Sequence, residues 1–279
     1  MFCVKTLSEE DFSFATRLTS KMNWGLTDAD FEFMMELEPK GCFVLLCGSE
    51  KVGIVTVVSF GKIGWFGNLI ISEDHRRKGA GALLAKHAID YLTDNNVETI
   101  GLYAYQDRVS FYRRLGFWDD SEFLVLKGKE FRTFTETKVR EARRQNVSEI
   151  IKHDRSCFNA SRRKSLEPII MDSDNLCYMF TEGEQLLGYA VAKVSKKTAE
   201  LGPLICPQGR SDIAIELLGT ILNRLCESEV SICVPKKENS IISFLTESGF
   251  SESFHVTRMF LGPPISEKCI YVPESLERG

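Results

Sequence analysis

Between Ile71 and Leu84 an apolar run ends, a basic cluster follows, and a helical pattern opens over two glycines: Ile71-Ser72-Glu73-Asp74-His75-Arg76-Arg77-Lys78-Gly79-Ala80-Gly81-Ala82-Leu83-Leu84. That succession suits a bound diphosphate. A helix N-terminus presents amides without intrahelical partners and the positive end of the helix dipole. Glycines at 79 and 81 let the backbone come close to phosphate oxygens, because no Cβ intervenes. Arg76, Arg77 and Lys78 add charge, worth ~1 kcal/mol each where solvent screens it. Taken alone, the same residues fit a turn carrying a solvated basic patch equally well. No Gly-Lys-Ser/Thr follows, which excludes a Walker-type loop. A dinucleotide fingerprint would place its glycines after the first strand, with an acidic residue ~20 positions later; here the loop follows the fourth strand candidate.

The elements around the loop are legible from periodicity. Phe2–Lys5 is a short strand, and Ser8-Glu9-Glu10-Asp11 a helix cap with an acidic first turn before Phe12, Ala15, Leu18 and Met22 at helical spacing. Asp28 to Leu37 predicts a second helix. Strands follow over Cys42–Cys47 and Val52–Phe60, and Ile63–Ser72 is apolar enough for a central strand buried on both faces. Ala80 to Leu92 is helical, Thr99–Tyr105 a strand, Val109–Leu115 a short helix stopped at Gly116, and Phe123–Leu126 a strand that closes the unit near residue 130.

The second half repeats this order. Asn146-Val147-Ser148-Glu149 reads as a second capping box, and Leu176–Thr181 with Leu187–Val194 as a second hairpin. Gly188 lies 135 residues after Gly53, and Gly249-Phe250 lies 133 after Gly116-Phe117. Offsets agreeing to two residues predict two copies of one α/β fold (an α+β mixed sheet), divided as 1–130 and 131–279. Each copy is expected to be a mixed, mostly antiparallel sheet flanked by helices.

A strand, then Arg76-x-x-Gly79-x-Gly81, a helix, and Phe111-Tyr112-Arg113-Arg114-Leu115-Gly116-Phe117 about thirty residues later resembles the GNAT superfamily of acyltransferases. Trp65-Phe66-Gly67-Asn68-Leu69-Ile70-Ile71, Met22-Asn23-Trp24 and Pro39-Lys40-Gly41-Cys42-Phe43 resemble a subgroup in which a diverged GNAT-like domain follows the first. Asp154-Arg155-Ser156-Cys157-Phe158 with Arg162 and Leu166, then Leu201-Gly202-Pro203-Leu204, are similar to its C-terminal half.

The resemblance implies acetyl transfer from acetyl-CoA to a primary amine by direct attack in a ternary complex, without a metal. It implies a first domain holding acetyl-CoA. The strand before the loop would splay from its neighbour, so that Leu69, Ile70 and Ile71 face the pantetheine arm. Arg76, Arg77, Lys78, Gly79, Ala80, Gly81 and Ala82 would face the pyrophosphate. Tyr112 matches the family's tyrosine near the sulfur and is the expected general acid. Taking a thiol at ~8.5 and a phenol at ~10, proton transfer to the thiolate is uphill by about 2 kcal/mol; packing between helix and sheet is the alternative role for Tyr112. No general base is assigned: His75, Glu73 and Asp74 read as loop residues, while Tyr103 and Tyr105 are candidates to line the acceptor site. The second half has Cys206-Pro207-Gln208-Gly209-Arg210-Ser211-Asp212 in place of the loop and Leu245 in place of Tyr112. It is expected to be non-catalytic, either shaping the acceptor pocket or only stabilising its neighbour. Competing readings are an acyl-CoA-binding regulatory module, an interaction protein with a vestigial site, and a transferase using another acyl donor.

Composition narrows the partners. A net charge of −4 and a pI near 5.7 argue against bulk nucleic-acid binding. The ten Lys and Arg against four Asp and Glu between Phe131 and Lys164 fit a solvated helix face better than a ligand surface. Nine cysteines without a CxxC pair suggest neither a zinc site nor a disulfide framework; Cys42, Cys47, Cys177 and Cys233 read as buried thiols of a reducing, cytoplasmic environment. No signal peptide or membrane span is read. The expected partner is a small-molecule or peptide amine, with no nucleic acid and no membrane; the oligomeric state is not legible.

Overall fold

A computed structural model describes residues 1–129, 138–265 and 268–279. Strand β1 (Phe2–Thr6) leads to Ser8, whose backbone N–H and hydroxyl donate to the Asp11 carboxylate at 2.8 and 3.0 Å. This reciprocal cap opens α1 (Phe12–Ser20), and Thr27 with Asp30 repeats the device for α2 (Asp28–Leu37). There follow β2 (Cys42–Cys47), β3 (Glu50–Ser59), β4 (Ile63–Ile71), α3 (Ala80–Asp94), β5 (Thr99–Tyr105), α4 (Val109–Arg114) and β6 (Trp118–Gly128).

The same order then recurs. It runs β7 (Val139–Glu141), α5 (Val147–Phe158), α6 (Arg163–Met171), β8 (Leu176–Glu182), β9 (Gln185–Ser195), β10 (Thr198–Pro207), α7 (Ser211–Leu222), β11 (Glu229–Pro235), α8 (Asn239–Glu247), β12 (Phe250–Leu261) and β13 (Cys269–Val272). The boundary expected at 130/131 and the first residues of the basic stretch fall outside the described residues. Asn146 is not the extended cap the sequence suggested. A short 3₁₀ turn over Arg144–Asn146 precedes α5, so Asn146 is already helical, and Arg143 takes the cap, its N–H donating to Asn146 Oδ1 at 3.1 Å. That pair stands 135 residues after Ser8 and Asp11, the repeat offset itself.

One mixed sheet runs through the molecule in the order β1-β2-β3-β4-β5-β12-β6-β11-β10-β9-β8-β7, with β13 paired to β10. Pairing is antiparallel except for β4 with β5 and β10 with β11. The strand read from Phe123–Leu126 does not close the first half on β5. The last strand of each repeat is exchanged: β12 pairs with β5, and β6 lies between β12 and β11. Repeated patterns leave either strand able to occupy either slot, and packing decides. Gly101 on β5 leaves room for Trp65 and Phe260, and a Cβ there would lie 2.4 Å from the Trp65 ring and 2.8 Å from Phe260 of β12.

A disulfide staples the second half internally, and a half-buried carboxylate of the first half ties it to the second. Cys157 and Cys269 form a disulfide, with Cα atoms 5.9 Å apart, which corrects the all-thiol reading; partners 112 residues apart leave no local spacing signature. The other seven cysteines are free. Glu38, after α2, accepts from the Ser59 N–H at 2.9 Å, the Tyr91 hydroxyl at 2.8 Å and Lys164 of α6 at 3.0 Å. Burial by itself would raise its pKa, but these donors hold it below the usual value of 4.5. A carboxylate depressed in the fold stabilises it fully above the unfolded value, and that contribution is lost as pH falls through the folded one. Glu38→Gln is therefore expected to cost about 2 kcal/mol at pH 7 and less at pH 3, below the unfolded value. Urea midpoints at the two pH values check it; equal losses at both would contradict the assignment.

Candidate active site

The site begins where two parallel strands part. β4 pairs with β5 only at Ile63–Thr99, Gly64–Ile100 and Trp65–Gly101. Beyond that point β4 pairs outward with β3, and β5 outward with β12. The inner edges over 66–71 and 102–105 thus diverge. A bulge assists: one extra residue enters β4 between its pairings with Ile54 and Thr56, and Asn68 takes a left-handed φ of 54° there. Asn68 Nδ2 donates to Thr56 Oγ1 at 3.1 Å, while its buried Oδ1 has no hydrogen-bond partner among the described residues. Leu69 is half-buried and Ile70 and Ile71 are buried, so what these three offer on the open side is backbone.

The basic loop leaves β4 through a 3₁₀ turn over Glu73–His75. Arg76 folds back, its Nε donating to the Ile71 carbonyl at 2.9 Å. Arg77 takes φ 60° and Gly79 φ 79°, so the chain turns twice through left-handed backbone before α3. The first amide of α3 with a helical partner is Leu83, bonded to the Gly79 carbonyl at 3.0 Å. The N–H groups of Ala80, Gly81 and Ala82 are therefore the unpaired first turn. Arg77, Lys78, Gly79 and Ala82 are exposed. A Cβ on Gly81 would stand 3.7 Å from Ile71 and 3.7 Å from the Phe111 ring, which is ordinary contact. Phe111 thereby brings α4 beside the loop.

On α4, Tyr112 packs edge-on against Phe66, Phe111 and Phe117, with ring centroids 6.0, 5.1 and 5.8 Å away. Burial in this apolar ring holds its hydroxyl well above the usual phenol value, Arg108 opposing weakly. The gap to a thiol is wider than unperturbed values gave. The proton is not lost near neutrality, and donation to a forming thiolate is favoured over complete early transfer.

The remaining sequence candidates separate. Tyr103 packs between Trp65 and Phe123. Tyr105 stacks on Trp24 at 6.2 Å and lies 5.1 Å from Phe254; its pKa is raised by burial first, opposed by a Trp24 hydrogen bond and assisted by the charges of Glu277 and Asp107. Glu73 and Asp74 are exposed, as expected of loop charges. His75 is half-buried, edge-on to Phe2, and its Nδ1 is buried without a partner among the described residues. It is less of a surface residue than its basic neighbours suggested.

The second half shows the same scaffold closed. β10 and β11 pair in parallel only up to Leu201–Ile232, and β13 then lies along β10 from Leu204 to Pro207. The chain's own strand fills the split that stays open between β4 and β5. Arg210 is engaged by Asp212 at 2.8 Å and Glu182 at 2.9 Å, and Leu245 is fully buried. Sequence reasoning missed the segment after β13. It crosses to β4, where the Leu276 carbonyl accepts from Trp65 Nε1 at 3.3 Å and a Cβ on Gly67 would lie 2.8 Å from Glu277. Its sequence signal was small: an isolated Pro273-Glu274-Ser275 without periodicity. A small pocket, of about 20 Å³, is lined by Trp65, Arg258, Tyr271 and the Cys157–Cys269 disulfide and includes none of the loop residues.

Residues 8–117 match the model of the acetyltransferase (GNAT) family, and residues 150–271 that of an acetyltransferase (GNAT) domain. A protein described as an acetyltransferase from Pyrococcus horikoshii shares the fold with a TM-score of 0.83 at 19% identity, over 100% of this chain and 96% of that one. A GCN5-related N-acetyltransferase from Sphaerobacter thermophilus matches at 0.67 and 12%, over 96% and 98%. A tandem GNAT protein from the clavulanic acid biosynthesis pathway matches at 0.63 and 11%, over 95% and 100%. Comparison with curated protein sequences gives no match. The chain belongs to the GNAT superfamily, with two such domains in tandem, and is an acyltransferase. No described helix is long and apolar enough to cross a membrane.

Proposed function

We propose that the chain is an N-acetyltransferase that moves an acetyl group from acetyl-CoA to a primary amine, using one site in its first half, residues 1–130. The observation that carries this is the parting of β4 from β5 beside an open α3 N-terminus. The free edge at Leu69, Ile70 and Ile71 offers backbone partners to an extended pantetheine arm. The first-turn amides of Ala80, Gly81 and Ala82, with Arg77, Lys78 and the glycine at 79, suit a diphosphate. Arg76 supports the end of β4 and lends its charge. Tyr112 donates a proton or hydrogen bond to the leaving sulfur. Residues 131–279 are read as a non-catalytic copy, because β13 occupies the matching split. The abundance of free thiols supports a reducing, cytoplasmic setting, and the single disulfide is the one feature against it.

Calorimetric titration with acetyl-CoA, followed by CoA-thiol release with a panel of amines, tests this reading. Binding with no transfer to any amine would favour a regulatory module instead. Tyr112→Phe is expected to lower kcat about 10–100-fold and leave CoA affinity within twofold. Because its hydroxyl is raised, wild-type turnover should show no loss from Tyr112 ionisation up to pH 10. Unchanged turnover in the variant would assign Tyr112 to packing alone.

A further inference from the structure

We infer that Glu277 is the general base of the reaction, taking the proton from the attacking amine; this rests on the transferase reading of the β4–β5 split. The geometry begins at Gly67. Side chains alternate along β4, so Phe66 meets Tyr112 on one face while Trp65 and Gly67 look to the other. On that other face a Cβ at 67 would lie 2.8 Å from Glu277 Cα and Cβ and 2.9 Å from its carbonyl oxygen. Glycine at 67 is what admits the segment. Tyr112 and Glu277 thus flank the free edge of β4 from opposite faces, as an acid for the sulfur and a base for the amine must.

The segment is held firmly. Buried Glu274 accepts from Lys193 at 2.5 Å and from Arg278 Nε at 2.8 Å. The Gly279 carbonyl accepts from the Glu274 N–H at 3.0 Å and from Arg162 Nη1 at 2.5 Å, and the Gly279 N–H returns to the Ser275 carbonyl at 3.1 Å. Arg278 extends to Met34 of α2 and lies over the Phe33 ring. Every neighbouring charge is used in this anchoring. Glu277 is half-buried and makes no hydrogen bond or ion pair among the described residues. A carboxylate kept partnerless at the end of a heavily bonded turn is free for an external proton.

The groups facing it are Tyr105 from β5, Glu200 from β10 with Lys193 from β9 paired to it, and Glu274 and Arg278 from its own segment. Three of these five are acidic or neutral and the two cations are already paired with carboxylates, so the surface suits an ammonium. The amine, bound as ammonium, gives one proton to Glu277, which passes it to solvent. Its nitrogen attacks the thioester carbonyl carbon, the C–N bond forms and the C–S bond breaks. Tyr112 supplies the sulfur with a proton and recovers one from the new amide nitrogen. The products are the amide, CoA thiol and one released proton.

The test uses the full chain with acetyl-CoA and four amines: tyramine, spermidine, glucosamine and a lysine-containing peptide. CoA-thiol release gives kcat and KM across pH, calorimetry with CoA gives affinity, and melting curves check folding. Glu277→Gln is expected to lower kcat about 100-fold or more, remove the acidic limb of the wild-type pH profile, and leave CoA affinity within twofold. Glu277→Asp should keep the limb at reduced kcat. Wild-type turnover and an intact acidic limb in Glu277→Gln would overturn the assignment of the base alone. A wild-type chain that fails to bind acetyl-CoA would overturn the transferase reading beneath it.

Discussion

Gly81→Asp is expected to stabilise the fold and abolish acyl-CoA binding at once. The added Cβ meets only ordinary contacts, at 3.7 Å from Ile71 and from Phe111. Position 81 lies in the first turn of α3, where a carboxylate complements the dipole by about 0.3–1 kcal/mol, and replacing glycine removes backbone freedom from the unfolded chain. Toward a diphosphate the sign reverses. At ~5 Å and an effective dielectric near 20, each unit of like charge costs ~3 kcal/mol, so affinity should fall more than 100-fold. Melting temperature and CoA titration read the two effects separately. Gly81→Ala, sterically similar but uncharged, should lose far less affinity. If Gly81→Asp binds CoA as wild type does, the phosphate site is elsewhere.

That opposition of signs also explains why the loop was legible. Basic residues, glycines and a helix start are local features, and so are the caps at Ser8 and Thr27 and the alternation of the hairpin strands. Internal repetition carried further, because a 135-residue offset fixed equivalent positions without any contact being known. The glycines at 53 and 188 bear this out: a Cβ on each would press on the carbonyl of the neighbouring strand, Ile70 at 2.8 Å and Ile205 at 2.9 Å, and those two are again 135 apart. Repetition was also what hid the exchange of β6 and β12, since two similar strands satisfy two similar slots. The parting of β4 from β5 was an expectation of the family resemblance, and periodicity alone would have left the strands fully paired. Glu277 was not legible at all. Its role depends on a segment 210 residues beyond Gly67, docked by charges whose partners lie in both halves.

Asp154→Ala is expected to be the most destabilising single substitution. Asp154 and Arg162 have side chains 0% and 1% exposed, joined by two hydrogen bonds at 2.6 and 3.2 Å. Tyr189 donates to Asp154 at 2.6 Å, and Arg162 Nη1 donates to Tyr271 at 2.8 Å and to the Gly279 carbonyl. Removing the carboxylate strands a guanidinium that cannot shed its charge, a loss of about 3–5 kcal/mol. The damage should reach catalysis by a defined route. Arg162 is one of the two donors fixing Gly279, and with it the turn that carries Glu277, so kcat should fall while CoA affinity, set at the α3 end, stays within a few-fold. Asp154→Ala combined with Arg162→Met separates charge from packing. The guanidinium stacks on Phe158 at 4.3 Å, and a methionine keeps much of that apolar contact without the buried charge. The double variant should recover a good part of the lost stability but not the lost kcat, because nothing then holds the Gly279 carbonyl from the α6 side. Recovery of both would show that the turn is positioned by Glu274, Lys193 and Arg278 without help from the buried pair.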